Sequence, residues 1–414
     1  MAGVDRPGGA KALTGPGDIL TKVPGGAHRR ARVLVASASV GAGHNAVAEA
    51  LCQGLAGFAP EVEVKCVDVL DYTSRLFRAK YAAGYSLAVT KFPRAYGLCY
   101  AWKNRWAGPS LTGSERRRLA ADTRSLRNFT AFVRQFQPDL VVHTHLLAGP
   151  VLAALGEAGG IFSPQWVAVT DILPHRWWYS PGIGRWFVPQ QPTQTVLQNW
   201  GVPASRITLS GMAIQAKWHE PLPPRAQLLA ELRLPTDKKI VLLSGGAMFT
   251  CGPIVEIARS LARARGDVCV VALAGRSKKL LGKLARLAES RAGKIVPVGF
   301  TDNLHKYAAI ASLVITKAGG ATTAECLARP AAMVLLKPVP GQEQDNAEFF
   351  ANRGAAAIVR NDNYQARHGV VDIVQKLLAD PAKLKEIRRA AANLYRPGRE
   401  TITQAIAEHL REKP

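Results

Sequence analysis

From Arg32 onward, short runs of Val, Ile and Leu alternate with longer stretches of helical periodicity, and this alternation constrains the fold more than any other feature. Strands separated by helices are the pattern of parallel α/β units. The runs show little alternation of polar and apolar residues, as expected for parallel strands that are covered on both faces. The predicted strands are 33–37, 62–69, 140–144, 166–170, 185–188, 207–210, 240–243, 269–273, 295–298, 313–316, 332–336 and 356–359.

The predicted strands form two series, separated by residues 212–239. That stretch contains Pro221, Pro223, Pro224 and Pro235, and 414 residues exceed what one hydrophobic core usually organises. We therefore expect an α/β protein with two doubly wound, Rossmann-like domains that face a central cleft. The predicted segments are a disordered basic tail (1–30), an N-terminal domain (31–212), a linker (213–239), a C-terminal domain (240–395) and a final helix (396–414) that packs back on the N-terminal domain.

The charge balance is the unusual part of the composition. The chain has 54 basic and 30 acidic residues, a formal net charge of +24, which predicts attraction to nucleic acid or to an anionic membrane face. No stretch is apolar over the roughly 20 residues that span a bilayer. The six cysteines are scattered singly, with no metal-ligand spacing. These observations predict a cytoplasmic protein that binds peripherally to the inner face of the cell membrane.

A glycine-rich loop follows the first predicted strand and precedes a helical stretch. It contains Gly41, Gly43 and His44. Glycines at such a turn let the backbone approach a ligand and aim free amides at it. Because ligands of open α/β sheets lie at the carboxyl ends of the strands, His44 is predicted to be a functional residue rather than a core histidine.

Two further loops repeat this arrangement in the second series. The first carries Gly245 and Gly246, and neither loop fits the P-loop pattern GxxxxGK[ST]. The second, after strand 313–316, gathers a lysine, hydroxyls and a glycine pair at a helix start, which suits a diphosphate. Its candidate residues are Thr316, Lys317, Gly319, Gly320, Thr322 and Glu325.

A polar loop bent by Gly and Pro follows the strand predicted at 332–336. It contains Gln342, Glu343 and Asn346, whose amide and carboxylate groups suit the recognition of sugar hydroxyls. Taken alone, the segment is typical of a surface loop. In series with the other two loops, it is predicted to form a third wall of one site.

The GAGH loop, the TKAGG…E segment and the PGQE…N segment, in this order, resemble glycosyltransferase family 28. The resemblance is strongest to its monogalactosyldiacylglycerol synthases and processive diacylglycerol glucosyltransferases, and it runs from about Arg32 to Arg360. It implies the GT-B fold, with the acceptor on the N-terminal domain and a UDP-sugar on the C-terminal domain. It also implies transfer of glucose or galactose to the hydroxyl of diacylglycerol.

The resemblance implies a role for each candidate residue. His44 corresponds to the general base, the backbone of Phe300 to the uracil contact, and Glu325 to the ribose contact. Asp171, His175 and Trp178, with Thr170, match a TD…H..W segment of the branch that glycosylates lipids. The remaining positions surround the diphosphate and donor sugar: Gly41, Gly43, Gly245, Gly246, Thr316, Lys317, Gly319, Gly320, Thr322, Gln342, Glu343 and Asn346.

Residues 72–106 suit a bilayer interface, because aromatic side chains alternate there with cations. The aromatic residues are Tyr72, Phe77, Tyr81, Tyr85, Phe92, Tyr96, Tyr100, Trp102 and Trp106, and Arg116, Arg117 and Arg118 extend the basic patch. A solvated basic helix with aromatic residues in the core is the structural alternative. The same mixture could stack on single-stranded nucleic acid.

We expect an inverting transfer without a metal or other cofactor, because no DxD-like carboxylate pair follows a strand in the predicted donor site. Loop amides and Lys317 would stabilise the departing UDP. Three alternatives stay open at this point. They are a UDP-N-acetylglucosamine transferase with a polyprenyl-linked acceptor, a UDP-sugar epimerase, and a nucleic-acid-binding protein that lacks a recognisable motif.

Overall fold

The computed structural model describes residues 29–105, 108–161, 163–246, 253–264, 266–336, 340–360 and 363–412. The chain divides into two compact units, residues 1–30 and 31–414. Only Arg29 and Arg30 of the first unit are described, so the predicted tail lies outside the described residues almost entirely. All further description concerns the second unit.

Two six-stranded sheets organise the second unit, and every strand pair in both is parallel. The first has the order β2-β1-β3-β4-β5-β6 and the second β12-β11-β10-β7-β8-β9. The strands are β1 Arg32–Ser37, β2 Glu63–Asp68, β3 Leu140–His143, β4 Gln165–Ala168, β5 Arg185–Val188, β6 Ile207–Leu209, β7 Lys239–Ser244, β8 Val268–Gly275, β9 Ile295–Gly299, β10 Leu313–Thr316, β11 Met333–Leu335 and β12 Ala356–Ile358. All twelve predicted strands are present, with ends that differ by one or two residues.

Helices connect the strands and cover both faces of each sheet. They are α1 Ala42–Phe58, α2 Arg75–Lys91, α3 Pro93–Asn104, α4 Gly113–Ser125, α5 Arg127–Phe136, α6 Ala148–Glu157, α7 Gln191–Asn199, α8 Arg225–Glu231, α9 Ile254–Arg263, α10 Lys278–Glu289, α11 Leu304–Ile310, α12 Gly320–Ala328, α13 Gln342–Asn352, α14 Asn363–Ala379, α15 Pro381–Leu394 and α16 Gly398–Arg411. No helix in the described residues is both long and apolar enough to cross a membrane.

The strand order creates one switch point in each sheet. In the first sheet, the chain leaves β1 for β2 on one side and later places β3 on the other. In the second, β7 lies between β8 and β10. The crevice beyond the carboxyl ends of strands at a switch point is where ligands of such sheets bind. The loops after β1, β3, β7 and β10 therefore carry the candidate site.

The last helix packs against the first sheet. Ile402 and Ile406 of α16 share a buried cluster with Val47 and Leu51 of α1. The crossing needs glycine at Gly211, since a Cβ there would overlap the carbonyl oxygen of Arg396. The domain boundaries drawn from the sequence stay a prediction, because residues 31–414 form one compact unit.

The aromatic residues of segment 72–106 do not share one environment. Tyr72, Phe77 and Tyr81 pack against the core of the first sheet, and Tyr100 is buried. For these four, the predicted position at a bilayer interface is wrong, because they face the core. Tyr85 and Trp106 lie outside the residues whose side chains are described.

Arg118 also differs from its predicted place in the basic patch. Its guanidinium lies 4.8 Å from the centroid of the Trp177 ring and 4.0 Å from a carboxylate oxygen of Asp122. The neighbouring Arg116 and Arg117 are exposed. Arg118 therefore supports the loop that follows β4, where it donates to the Trp177 carbonyl, and does not extend the exposed basic patch.

Candidate active site

His44 lies in the first turn of α1 and reaches across to the neighbouring strand ends. Its Nδ1 is 2.9 Å from the carbonyl oxygen of Thr144 and 3.0 Å from the hydroxyl of Thr170. The carbonyl oxygen can only accept a hydrogen bond, so Nδ1 carries the proton. Nε2 then has a free lone pair, and within the described residues it makes no hydrogen bond.

Desolvation keeps this imidazole neutral. Burial lowers the pKa of His44 from 6.5 to about 4, although the hydrogen bond to the Thr144 carbonyl favours the protonated form. A second ring, His145, lies edge-on with its centroid 4.6 Å away. A neutral imidazole with a fixed tautomer is suited to accept a proton through Nε2.

Thr144 and His145 are site residues that sequence reasoning missed. They directly follow His143, the last residue of β3. The sheet order places β3 beside β1, so the ends of these two strands meet. Polar residues at the carboxyl end of a predicted strand were the available signal. The sequence by itself does not show which strand is adjacent to β1.

Asp171 connects the loop after β4 to the second sheet. Its carboxylate accepts hydrogen bonds from the indole of Trp178, at 2.9 Å, and from the side-chain amide of Gln342. Burial raises the pKa of Asp171 from 3.8 to about 7, against the effect of these two bonds. Two residues predicted for different substrates, Asp171 for the acceptor and Gln342 for the donor, are thus in contact.

His175, the third predicted acceptor residue, lies beside this group. Its ring packs at a tilt of 56° against that of Tyr100, with centroids 4.8 Å apart, and its Nδ1 accepts a hydrogen bond from the Trp177 amide. Burial lowers its pKa to about 3, and nearby Arg118 and Lys103 act in the same direction. It is therefore a neutral residue that packs beside the acceptor side of the site.

Three helices that start at the site have glycine as their N-cap. The N-caps of α1, α12 and α13 are Gly41, Gly319 and Gly341, and none has a side-chain hydrogen bond. Ser, Thr or Asp side chains cap α2, α4, α10 and α15, whereas other helices such as α6, α7 and α9 also lack a side-chain cap. The first amides of an uncapped helix remain available to a ligand, and the helix dipole favours an anion there.

Close packing at glycine brings the first turns of α1 and α12 together. A Cβ at Gly320 would overlap the Thr170 carbonyl oxygen, and one at Gly43 would lie 3.4 Å from the Ala321 Cβ. Both helix N-termini consequently point at the same space. The backbone thus explains why glycine is needed at Gly320 before any ligand is considered.

Lys317 lies in the loop between β10 and α12 and forms an ion pair with Glu343. The Nζ–Oε1 distance is 2.6 Å, and both side chains are mostly buried. Gly246, with a φ of +77°, lets the loop after β7 pack on this lysine, because a Cβ there would be 2.7 Å from the Lys317 Cε. Gly245 precedes it, and residues 247–252 of that loop lie outside the described residues.

Thr316 and Thr322 flank the same turn. Thr316 is fully buried at the end of β10, and its hydroxyl finds no hydrogen-bond partner among the described residues. Thr322 is partly exposed in the first turn of α12. An unpartnered buried hydroxyl next to uncapped amides fits a site that a ligand completes.

Glu325 is held one turn into α12. Burial raises its pKa from 4.5 to about 7, opposed by the charge of Lys217 and by a hydrogen bond with Trp218. Both partners belong to the segment between the sheets. The carboxyl group is therefore positioned from outside its own helix.

Phe300 directly follows β9 and is 61% exposed. The guanidinium of Arg276 lies 4.6 Å from its ring centroid, as expected from the parallel pairing of Gly275 with Gly299. An exposed Phe beside an Arg at the carboxyl edge of a sheet is an open platform for a planar ring. Within the described residues, no hydrogen bond, ion pair or ring contact joins Phe300 to the loop between β10 and α12.

Asn346 has contacts that differ from its predicted role in ligand binding. It is fully buried, its Oδ1 accepts a hydrogen bond from the Ile172 amide at 3.1 Å, and its Nδ2 donates to the Ala318 carbonyl at 2.9 Å. It therefore ties the loop after β4 to the loop after β10. A contact of Asn346 with the donor stays a prediction.

The described residues contain no group of three or more His, Cys, Asp or Glu side chains that converges on a possible metal position. The site instead brings together His44, Asp171, Lys317, Gly320 and Glu343. Gly41 has nothing within 4 Å of a Cβ built on it. The ammonium of Lys317 and the first amides of α12 suit an anion, and the neutral imidazole of His44 suits a proton acceptor.

Comparison with known proteins adds to this geometry. The family model described as monogalactosyldiacylglycerol (MGDG) synthase matches residues 44–214. The model described as the glycosyltransferase family 28 C-terminal domain matches residues 245–405. Together the two models cover most of the chain; the first includes β2 to β6 and the second β8 to β12.

Two curated relatives are called processive diacylglycerol beta-glucosyltransferase. The one from Bacillus mycoides (strain KBAB4) is 28% identical over 375 residues, which are 88% of this chain and 90% of the relative. The one from Bacillus thuringiensis (strain Al Hakam) is 30% identical over 263 residues, 63% of this chain and 65% of the relative.

Solved structures with similar folds include Acinetobacter baumannii MurG, with a TM-score of 0.61 and 16% identity over 91% of this chain and 99% of that one. An S. aureus MnaA–UDP co-structure has a TM-score of 0.60 and 13% identity, with 93% and 99% coverage. At such identities the likeness concerns the fold alone, and the predicted GT-B fold is confirmed.

Proposed function

The chain belongs to the family of monogalactosyldiacylglycerol synthases and family 28 glycosyltransferases, and we propose that it transfers glucose or galactose from a UDP-sugar to the hydroxyl of diacylglycerol. The relatives named as diacylglycerol glucosyltransferases support this acceptor. The product is a membrane glycolipid. Neither the motifs nor the fold distinguishes the two donor sugars.

One observation carries the proposal, namely the geometry of His44. Its proton is held on Nδ1 by the Thr144 carbonyl, and Nε2 is open beside the uncapped starts of α1 and α12. A base is needed where an alcohol meets an anomeric carbon, and anion-binding amides are needed where a nucleoside diphosphate leaves. The cleft supplies both within one packed unit.

The proposed reaction is a single displacement. The acceptor oxygen forms a bond to the anomeric carbon while the bond from that carbon to the UDP oxygen breaks. The acceptor proton passes to Nε2 of His44, and the configuration at the anomeric carbon inverts. A positioned base contributes roughly 10²–10⁴-fold to such a step.

The leaving group is an anion, so the site has to stabilise growing negative charge. The uncapped amides at the start of α12 and the ammonium of Lys317 are placed for this role, with Thr316 and Gly319 in the same turn. Glu343 holds Lys317 before the ligand arrives. These donors support our proposal that the transfer needs neither a divalent metal nor another cofactor.

The surface of α2, α3 and the turn between them supports the proposal that the protein binds the inner face of the cell membrane. The large apolar side chains exposed there are Leu76, Leu87, Phe92, Leu98 and Trp102, and the accompanying cations include Lys80, Lys91, Arg94 and Arg105. Outside this surface, the described residues expose only Phe58 and Phe300 among side chains of this kind. Each cation near an anionic leaflet contributes about 1 kcal/mol.

The test is incubation with radiolabelled UDP-glucose, UDP-galactose or UDP-N-acetylglucosamine and diacylglycerol vesicles, followed by thin-layer chromatography. We expect a labelled glycolipid from a hexose donor, with equal yield after treatment with EDTA. Labelling of a polyprenyl acceptor alone, or epimerisation of the UDP-sugar without transfer, would contradict the proposal. We also expect the protein to float with anionic vesicles and not to retain oligonucleotides at about 200 mM salt, since no nucleic-acid partner is expected.

A further inference from the structure

Helix α3 has two faces with different surroundings. One face presents Leu98, which is 74% exposed, and Trp102, which is 51% exposed. The other face carries Gly97 and Tyr100, and it packs against a turn of the second half of the chain at Pro340 and Gly341. A single helix therefore joins the proposed membrane surface to the segment that begins α13.

The contact between α3 and this turn depends on two glycines. A Cβ at Gly97 would lie only 2.6 Å from the Cβ of Pro340. Gly341 adopts a φ of +99°, and a Cβ there would lie 3.2 Å from the Tyr100 ring. Tyr100 is itself fixed, since it is buried and its hydroxyl donates to the Leu173 carbonyl at 2.9 Å. The turn thus rests on a rigid aromatic surface.

The turn leads directly into the polar residues of α13. Gln342 donates to Asp171, and Glu343 pairs with Lys317 at 2.6 Å. The position of the turn therefore fixes where these two side chains start. A displacement of Pro340 and Gly341 would move the side chains proposed to contact the donor sugar, and leave Glu325 and Phe300 where they are.

We propose that α3 is a positioning element for the donor: the face with Gly97 and Tyr100 seats the turn at Pro340 and Gly341, and through it sets Gln342 and Glu343 against the sugar of the UDP-sugar. This inference rests on the proposed function for the identity of the donor. It adds that recognition of the sugar depends on a helix whose opposite face meets the bilayer.

The arrangement makes membrane binding and sugar recognition mutually dependent. If contact of Leu98 and Trp102 with lipid holds α3 in place, the turn it seats is held as well. Linkage then requires that vesicles tighten the binding of UDP-hexose by the same factor as UDP-hexose tightens the binding of vesicles. UDP alone, which lacks the sugar, should show a smaller factor.

Gly97→Ala tests the contact between α3 and the turn at Pro340 and Gly341, and Gly84→Ala is its matched control. Both changes add one methyl group to a helix of the same surface, but nothing lies within 4 Å of a Cβ at Gly84. We expect Gly97→Ala to weaken UDP-hexose binding by about tenfold, because a small displacement of contact groups has a large effect. UDP binding should change less than twofold, and Gly84→Ala should match the unchanged protein in both.

Titration calorimetry with UDP and UDP-hexose measures this difference without turnover. General destabilisation by Gly97→Ala would weaken both ligands equally and overturn the proposal, as would an unchanged affinity for UDP-hexose. A second measurement repeats the titration with anionic vesicles that lack diacylglycerol. Vesicles that leave the affinity for UDP-hexose unchanged, or that raise it by no more than the affinity for UDP, would overturn the coupling.

These outcomes are separate from those of the proposed function. Suppose that no hexose is transferred to diacylglycerol, but UDP-hexose binds and Gly97→Ala selectively weakens this binding. The proposed acceptor is then wrong, and the positioning role of α3 is supported. If Gly97→Ala forms glycolipid normally and binds UDP-hexose with unchanged affinity, the positioning role is wrong and the proposed function is supported.

Discussion

His44 illustrates, for a single residue, how backbone geometry prepares a base. The Thr144 carbonyl fixes the proton on Nδ1, and the surrounding protein lowers the pKa to about 4. At neutral pH the ring is therefore unprotonated at Nε2 in almost every molecule. This contrasts with an ordinary histidine, whose pKa of about 6.5 would leave part of it charged.

The first prediction concerns this imidazole. We expect His44→Ala to lower kcat by roughly 10²–10⁴-fold, since the acceptor proton loses its base. The affinity for UDP should stay within about twofold, because α12 and Lys317 are unchanged. Steady-state kinetics and calorimetry measure the two effects. His219→Ala, which removes an exposed imidazole of the segment between the sheets, should leave kcat unaltered, and full transfer by His44→Ala would refute the mechanism.

The second prediction concerns Asp171, whose pKa is raised by burial to about 7. A folded-state pKa above the unfolded value of 3.8 means that this group stabilises the fold fully below pH 4. That contribution is lost as the pH rises to about 7. Above that pH the titration of Asp171 no longer changes the free energy of unfolding. The free energy of unfolding should therefore fall, relative to Asp171→Asn, between pH 4 and pH 7.

Urea unfolding of both proteins at pH 5, 6, 7 and 8 measures this difference. Asn keeps the shape of the Asp side chain and does not ionise in this range, but its amide nitrogen cannot accept one of the two hydrogen bonds, which adds a loss that is independent of pH. The free energy of unfolding of the unchanged protein, minus that of Asp171→Asn, should decrease up to pH 7 and then stay level. A difference that did not change with pH would show that Asp171 is ionised throughout.

Helices α2 and α3 show, among the elements, how one amphipathic segment serves two surroundings. Their inner residues, such as Phe77 and Tyr100, pack on the protein, and their outer ones include Leu98 and Trp102. Side chains of the second kind cost free energy when they face water, which an apolar or interfacial partner relieves. Some aromatic residues of segment 72–106 thus belong to the protein core, and others belong to its surface.

The third prediction belongs to this surface. We expect Trp102→Ser to weaken binding to anionic vesicles by roughly ten- to a hundredfold, in line with about 1.5–3 kcal/mol for burial of a large apolar side chain. Phe58→Ser is the matched control, since Phe58 is 50% exposed and Trp102 51%, but Phe58 ends α1. Flotation of both variants with vesicles gives the comparison. Equal losses would place the membrane contact elsewhere.

The whole molecule depends on close backbone crossings between its two halves. Gly211, with a φ of +87°, touches Arg396 where the chain returns before α16, and Gly320 touches Thr170. Asn346 and the contact between Asp171 and Gln342 add polar links. Because these links lie around the cleft, the relative position of base and diphosphate loop is set by packing.

The fourth prediction tests such a crossing. We expect Gly211→Ala to lower the free energy of unfolding by about 1–3 kcal/mol more than Gly354→Ala. Both glycines have positive φ, at +87° and +67°, so both variants incur backbone strain, but nothing lies within 4 Å of a Cβ at Gly354. Urea unfolding measures the difference. Equal losses would mean that the crossing can relax without cost.

The sequence by itself determined the strand series, the fold class and the loops that carry the chemistry. Runs such as 240–243 are apolar throughout because both faces of the sheet are covered, and that pattern is local. The glycines before α1, α12 and α13 were visible for the same reason, since a tight turn or a helix start is a property of a few consecutive residues.

Only the tertiary structure decided which groups meet. Thr144 and His145 lie a hundred residues from His44 and become neighbours because β3 pairs with β1. Likewise, Gln342 reaches Asp171, Asn346 links two loops, and α2 turns Phe77 and Tyr81 inward. Such contacts depend on strand order and on the packing of distant surfaces, which no local pattern of residues encodes.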